Sequence, residues 1–268
     1  MKKILSVQDL SCVGRCSLTV ALPVLSAQGI ACSVLPTAVL STHTAFPQPE
    51  VVDLSDHLDS FVRHWQENSI CFDAVSVGYL ADSRQAAIVE DIVERLNCPL
   101  ILDPVMGDRG KLYRRITPAH IDGLKRLAAR AEVLLPNLTE AAALTGLAYR
   151  EQTDDNYLNA LTEGLLALGA KAVIITGVHF QDSAIGFYGR ARSGEAFCYQ
   201  GDYIPRQFHG TGDLFAAVLS GQFVKGSALP QAAEKAADFV RLCVEQTPEV
   251  TPMGVEFEPL LYRLADHR

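Results

Sequence analysis

Long apolar runs are missing from this 268-residue chain: none approaches the roughly 20 residues that a bilayer-spanning helix needs. Positive charge is scarce as well. With 23 Lys and Arg against 31 Asp and Glu, the formal net charge is −8, and no basic stripe is visible, which argues against broad contact with nucleic acid or anionic lipid. Internal repeats, low-complexity segments and Ser/Gly linkers are also lacking, so a single domain over residues 1–268 is expected. The opening Met1 to Val7 has a basic start, but Gln8 and Asp9 stop its apolar stretch short of a signal segment, and a cytoplasmic protein is expected. The 7 cysteines are odd in number and scattered, which fits reduced thiols. Cys12 and Cys16 lack the second Cys or His pair that a zinc site requires.

What the chain does have is alternation. Strands are expected at Lys3–Val7, Cys32–Leu40, Ala74–Leu80, Leu100–Val105, Val133–Pro136 and Ala172–Thr176. A polar turn is expected at Gln8–Arg15, with helices at about Ser17–Gln28, Asp53–Glu67, Ser83–Leu96, Pro118–Ala129, Thr139–Thr145 and Asn156–Leu168. Such alternation predicts an α/β fold, parallel strands sandwiched by helices. Between Gly177 and Phe208 the pattern changes to two short antiparallel strands, Ala184–Tyr188 and Ala196–Tyr199, joined by a turn at Arg190–Glu195. Helices then return at Leu214–Phe223, Gln231–Glu245 and about Phe257–Ala265. Phe46-Pro47-Gln48-Pro49 is the densest loop signal and a candidate flap.

Four polar stretches carry possible chemistry. Gly210-Thr211-Gly212-Asp213 opens a helix, where unpaired amides and the positive end of the helix dipole favour a phosphate. Asp213 would repel that phosphate, so it is either a capping acid or a base that holds and deprotonates an alcohol; the helix start should lower its pKa. Asp103, before Pro104, is either a turn opener or a holder of Mg²⁺ through water. Asn137 and Glu140 are spaced as a capping box, a placement that would equally aim Glu140 at a cation shared with Asp103. Thr176-Gly177 follows an apolar strand and could donate to a nucleotide phosphate; His43 and His179 read as structural. In open parallel sheets ligands sit beyond the carboxyl ends of the strands, where these residues gather.

Taken together, the segments Asp103-Pro104-Val105-Met106-Gly107-Asp108, Pro136-Asn137-Leu138-Thr139-Glu140 and Gly210 to Ala217 resemble, in order and separation, the motifs of the pyridoxal kinase family of the ribokinase-like superfamily. The resemblance spans nearly the whole chain. It implies an αβα sandwich with a mainly parallel sheet and no separate lid domain, usually a homodimer. It also implies ATP-dependent phosphorylation of the 5′-hydroxymethyl group of a B6 vitamer (pyridoxal, pyridoxine or pyridoxamine). Asp213 would then be the base, and the amides of Gly210, Thr211 and Gly212 the anion hole. Asp103, Asn137 and Glu140 would organise Mg²⁺, through water, and the ATP phosphates. Thr176 would touch ATP, and Asp108 and Tyr113 would belong to the loop Gly107–Arg114 that covers it, with Arg109 and Lys111 supplying positive charge. Thr44 and Tyr79 match vitamer-pocket positions, Tyr79 stacking on the pyridine ring. Use of a monovalent cation is left open.

One departure bears on substrate. Pyridoxal kinases usually carry Ser-His where this chain has Asp9-Leu10, and an acid there is similar to the hydroxymethylpyrimidine kinases; those, however, typically carry Cys in place of Asp213. Asp9 is therefore expected to meet the ring nitrogen or the cationic aminomethyl group of pyridoxamine. Hydroxymethylpyrimidine or its phosphate is the alternative substrate, and a catalytically silent vitamer or nucleotide binder the alternative of another class.

Overall fold

Nine strands make one sheet among the described residues, and its central parallel strands are mostly apolar and buried, as strands covered by helices on both faces must be. A computed structural model describes residues 1–181, 183–194, 196–248 and 252–265. In chain order the elements are β1 (Lys3–Ser11), α1 (Leu18–Ala27), β2 (Ala31–Leu40), β3 (Val51–Asp53), α2 (Ser55–Glu67), β4 (Ala74–Val77), α3 (Ser83–Leu96), β5 (Leu100–Leu102), β6 (Gly107–Asp108) and β7 (Lys111–Leu112). There follow α4 (Pro118–Ala128), β8 (Val133–Leu134), α5 (Leu138–Thr145), α6 (Asp155–Leu168), β9 (Ala172–Gln181), β10 (Ala184–Ala191), β11 (Ala196–Asp202), α7 (Thr211–Val224), α8 (Leu229–Gln246) and a 3₁₀ turn, Glu258–Leu264.

The spatial order is β11-β10-β9-β8-β5-β4-β1-β2-β3. Strands β1, β2, β4, β5, β8 and β9 run parallel, and β3, β10 and β11 are antiparallel to their neighbours at the two edges. One apolar core lies between the sheet and α2 to α6, through Leu58, Val89, Leu124, Leu144 and Leu161. The other lies between the sheet and α1, α7, α8 and the 3₁₀ turn, through Val20, Leu214, Val218, Ala236 and Leu264. This is the expected αβα sandwich without a separate lid domain. The chain leaves β1 for β2 on one side and returns as β4 on the other, so the connections diverge at β1 and β4, where such sheets bind ligands.

Several boundaries differ from those read off the sequence. The first half of the expected polar turn Gln8–Arg15 is strand: β1 continues to Ser11, with a register shift between Gln8 and Leu10 as Gln8 pairs Pro36 and Leu10 pairs Val39. The extra β2 residue is absorbed beside Pro36, which has no N–H for a regular ladder. The edge strand β3 and the hairpin β6–β7 are additions, too short to carry a period. β4 and β5 stop before Leu80 and Val105, and β9 passes through Gly177 to Gln181 because that glycine, at φ +67°, bends the strand without ending it. The expected turn at Arg190–Glu195 begins inside β10, and its Glu195 lies outside the described residues. The last helix is a 3₁₀ turn. No helix among the described residues is long and apolar enough to cross a membrane.

Candidate active site

Along the carboxyl ends of β1, β4, β5, β8 and β9 runs an open cleft of about 2100 Å³. Asp9, Thr44, Tyr79, Asp103, Asp108, Tyr113, Asn137, Glu140, Thr176 and the stretch Gly210–Asp213 all line it. One spatial region thus gathers the expected base, anion-hole, nucleotide, metal and vitamer residues. His43 stays structural: it is buried, takes the Ala45 N–H on Nδ1 at 3.3 Å and binds the Pro252 carbonyl through Nε2 at 2.6 Å. His179 packs edge-on against Tyr203.

The start of α7 leaves its backbone donors open to the cleft. Gly210 is its N-cap at φ +84°, and a Cβ there would collide with the Arg15 carbonyl oxygen, so only glycine fits. No side chain caps this helix, which leaves its first-turn amides facing the cleft. Gly212 turns toward Asp103, whose Oδ2 would lie 3.8 Å from a Cβ at that position. The segment 252–258 holds this corner together: Val255 N–H donates to the His209 carbonyl at 3.0 Å, Arg15 N–H to that of Met253 at 2.8 Å, and the Arg15 guanidinium grips Glu258 at 2.8 and 3.0 Å.

Asp213 shows an edge to the cleft and is otherwise enclosed. It does not cap α7; the backbone N–H of Ser17 lies on its side of the cleft and favours its ionised form. Burial pushes its pKa up to about 7; the Ser17 N–H opposes that rise and the charge of Asp9 adds to it. The expected downward shift is thereby corrected, since loss of solvent and a neighbouring acid outweigh the positive helix end. Asp9, 3% exposed, receives the Ser17 hydroxyl at 2.5 Å and the Ser11 hydroxyl at 2.8 Å, and burial still holds its pKa above the usual carboxylate range.

Across the cleft, Asn137 and Glu140 form a complete capping box at the start of α5. Asn137 Oδ1 accepts from the N–H groups of Thr139 and Glu140 at 2.9 and 3.0 Å, and Glu140 Oε2 accepts from Asn137 N–H at 2.9 Å. The box does more than cap. Glu140 Oε1 accepts from Met106 N–H at 3.0 Å and Asn137 Nδ2 donates to the Gly107 carbonyl at 2.8 Å, which pins the loop after Asp103. Thr176 pairs with Asn137 in an isolated parallel bridge, bringing its hydroxyl to the same rim. Burial raises Glu140 to about 8, and Asp103 is raised well above its ordinary value by burial, then by Glu140 and Asp213. Asp103, Glu140 and Asp213 thus concentrate acid groups in a shielded corner, though among the described residues no three such side chains are grouped closely enough to hold a metal ion directly.

The hairpin β6–β7 covers the cleft from one side. Asp108 is exposed there beside Arg109, with Nε 3.6 Å from Oδ2, while burial and then the Glu140 charge push the Tyr113 phenol upward. Arg109 lines the cleft, whereas Lys111, expected to do so, is not among its lining residues; Arg114, Arg115 and Arg150 are. Tyr79 rises through burial, with Arg115 opposing and Asp9 adding. Ser11 and Ser17 escaped the sequence reading, since their value lies in gripping Asp9 and no spacing signals it.

Uncapped amides at a helix start, an enclosed acid beside them and a carboxylate cluster opposite, at the switch point of a parallel sheet, are the arrangement of a kinase of the ribokinase-like class. A family model described as phosphomethylpyrimidine kinase matches residues 26–257, and the chain belongs to that family, which joins hydroxymethylpyrimidine and pyridoxal kinases. Among its relatives, the hydroxymethylpyrimidine/phosphomethylpyrimidine kinase of Staphylococcus aureus (strain MRSA252) is 28% identical over 207 residues, 72% of this chain and 73% of that one. A protein of Bacteroides thetaiotaomicron VPI-5482, crystallised in an orthorhombic form with pyridoxal, has a TM-score of 0.93 and 33% identity, covering 98% of this chain and 95% of its own. The pyridoxal kinase of Lactobacillus plantarum has a TM-score of 0.90 and 32% identity, covering 98% and 96%.

Proposed function

We propose that the protein transfers the γ-phosphate of ATP to the 5′-hydroxymethyl group of a B6 vitamer, with Asp213 as base. The observation that carries this reading is the position of Asp213: beside uncapped amides, not spent on capping, and in one cleft with Asp9 and Asp103. The vitamer oxygen attacks the γ-phosphorus in line, the bond from phosphorus to the β-bridging oxygen breaks, and the hydroxyl proton passes to the Asp213 carboxylate. The amides of Gly210, Thr211 and Gly212 hold the transferring phosphoryl group. Thr176, Asp108 and Tyr113 border the nucleotide; Thr44 and Tyr79 border the ring.

The residues present fit Mg²⁺. Both oxygens of Glu140 are taken by backbone N–H groups, which leaves them acceptors for metal-bound water rather than direct ligands, and Asp103 stands beside Gly212 where phosphate would lie. The bound ion would neutralise phosphate charge. Burial alone favours the protonated forms of Asp103 and Glu140, which such an ion would oppose.

The test is release of ADP from ATP with pyridoxal, pyridoxine, pyridoxamine and hydroxymethylpyrimidine as acceptors. ADP release with none of them would refute the proposal. The second reading, hydroxymethylpyrimidine kinase, is favoured by Asp9 at the pocket wall. It predicts higher kcat/KM for the pyrimidine than for any vitamer.

Two further outcomes are expected. A base must be ionised to work, and Asp213 is raised to about 7, so kcat/KM falls as pH drops below about 7 and levels off above it. A pH profile with no acid limb between 5 and 8, in ~unit steps, would contradict the role. In an Asp9→Ser variant the anionic wall is gone, and kcat/KM for pyridoxamine should fall by about 10-fold or more relative to pyridoxal, the value of one charge-assisted hydrogen bond. An unchanged ratio removes Asp9 from the selection of substrate.

A further inference from the structure

Helix α1 begins at an unusual residue. Ser17 has φ +50° and ψ −127°, angles that strain an L residue and that glycine adopts freely. Serine is a favoured N-cap because its side-chain oxygen can accept a first-turn N–H, yet the Ser17 hydroxyl makes no capping bond. Neither the backbone nor the helix start therefore accounts for serine here. Its polar atoms go elsewhere: Oγ donates to Asp9 Oδ1 at 2.5 Å, and the backbone N–H faces the carboxylate of Asp213. Ser17 itself is 4% exposed, so water does not compete for the bond to Asp9. The second oxygen of Asp9 is held by Ser11 at 2.8 Å, which leaves that carboxylate no freedom to turn.

Resting on the reading of Asp213 as base, we propose that Ser17 is a positioning residue that locks the base and the acidic wall of the acceptor pocket into one rigid unit. Its N–H faces the Asp213 carboxylate while its hydroxyl fixes Asp9, so the acceptor alcohol meets the base in a single orientation. The strained dihedral is what lets both groups of one residue reach two acids that would otherwise repel each other and diverge. Phosphoryl transfer depends on placement more than on base strength, so loosening this link should lower turnover without weakening nucleotide binding.

The experiment compares Ser17→Gly, which relieves the strain and deletes the hydroxyl, with Ser17→Ala, which deletes the hydroxyl and keeps the strain. Both retain the N–H. Ser17→Gly should melt at or above the parent temperature, while its kcat for the preferred acceptor falls by about 10- to 100-fold and KM for ATP is unchanged. Ser17→Ala should lose the same factor in kcat. Because the hydroxyl acts through Asp9, adding Asp9→Asn to Ser17→Gly should cost no further turnover beyond the larger single effect. Parental kcat and acceptor KM in Ser17→Gly, or losses that multiply in the double variant, would overturn the proposal. Asp213→Asn separates it from the reading beneath: near-parental turnover in that variant refutes the base, whereas an inactive Asp213→Asn beside a fully active Ser17→Gly refutes only the positioning.

Discussion

Replacing Asp213 with asparagine should lower kcat by about 10²- to 10⁴-fold, the range that a positioned proton acceptor contributes. Asparagine keeps the shape and can still receive the Ser17 N–H, so ATP and acceptor binding should persist, as measured by calorimetry or by protection from thermal melting. The variant should also be at least as stable as the parent. Asp213 is a buried acid near Asp9, and its charge contributes to the raised pKa of Asp103. Removing that charge relieves repulsion that the fold tolerates for the sake of chemistry. A variant that melts lower and still turns over would mean that the acid is structural and that another group accepts the proton.

The second large effect concerns Gly210. Its φ of +84° and the Arg15 carbonyl against its Cα mean that Gly210→Ala must move the start of α7 or the loop before α1. Strain in the left-handed region and the steric clash each cost about 1–3 kcal/mol, so a loss of roughly 2–5 kcal/mol in denaturant unfolding is expected, with turnover reduced at least as strongly as in Asp213→Asn. Gly212→Ala is the informative contrast. A Cβ there has ordinary spacing to Asp103 and its φ is not positive, so stability should hardly change while the added methyl group occupies the phosphoryl position. If both variants were equally unstable, the glycines would serve folding and not an anion.

Much of this was legible in the sequence because its signals are local. Glycines ahead of an apolar helical period mark the start of α7, and Asn137 three residues before Glu140 marks that of α5; each feature depends only on neighbours in the chain. The layer order followed from alternation. What escaped depends on remote partners. Gly177 looks like a strand end until β10 pairs across it, and the hairpin β6–β7 has too few residues in each strand to show a period. The pKa of Asp213 was expected in the wrong direction because the helix end is visible in sequence, whereas the enclosure and the acid from β1 are not. Ser17 was hidden for a similar reason: nothing in the letters announces that a serine will take a glycine's dihedral angles to reach two distant acids.

The tether between Arg15 and the segment 252–258 has a consequence for biosynthesis. The loop that seats Gly210 carries Arg15, yet the Glu258 that clamps it follows 243 residues later in the chain. Six parallel strands and their helices can already have collapsed while this corner is still open. A nascent polypeptide should therefore acquire its shape well before it acquires the ability to grip phosphate, and competence should switch on only once the segment 252–258 has emerged.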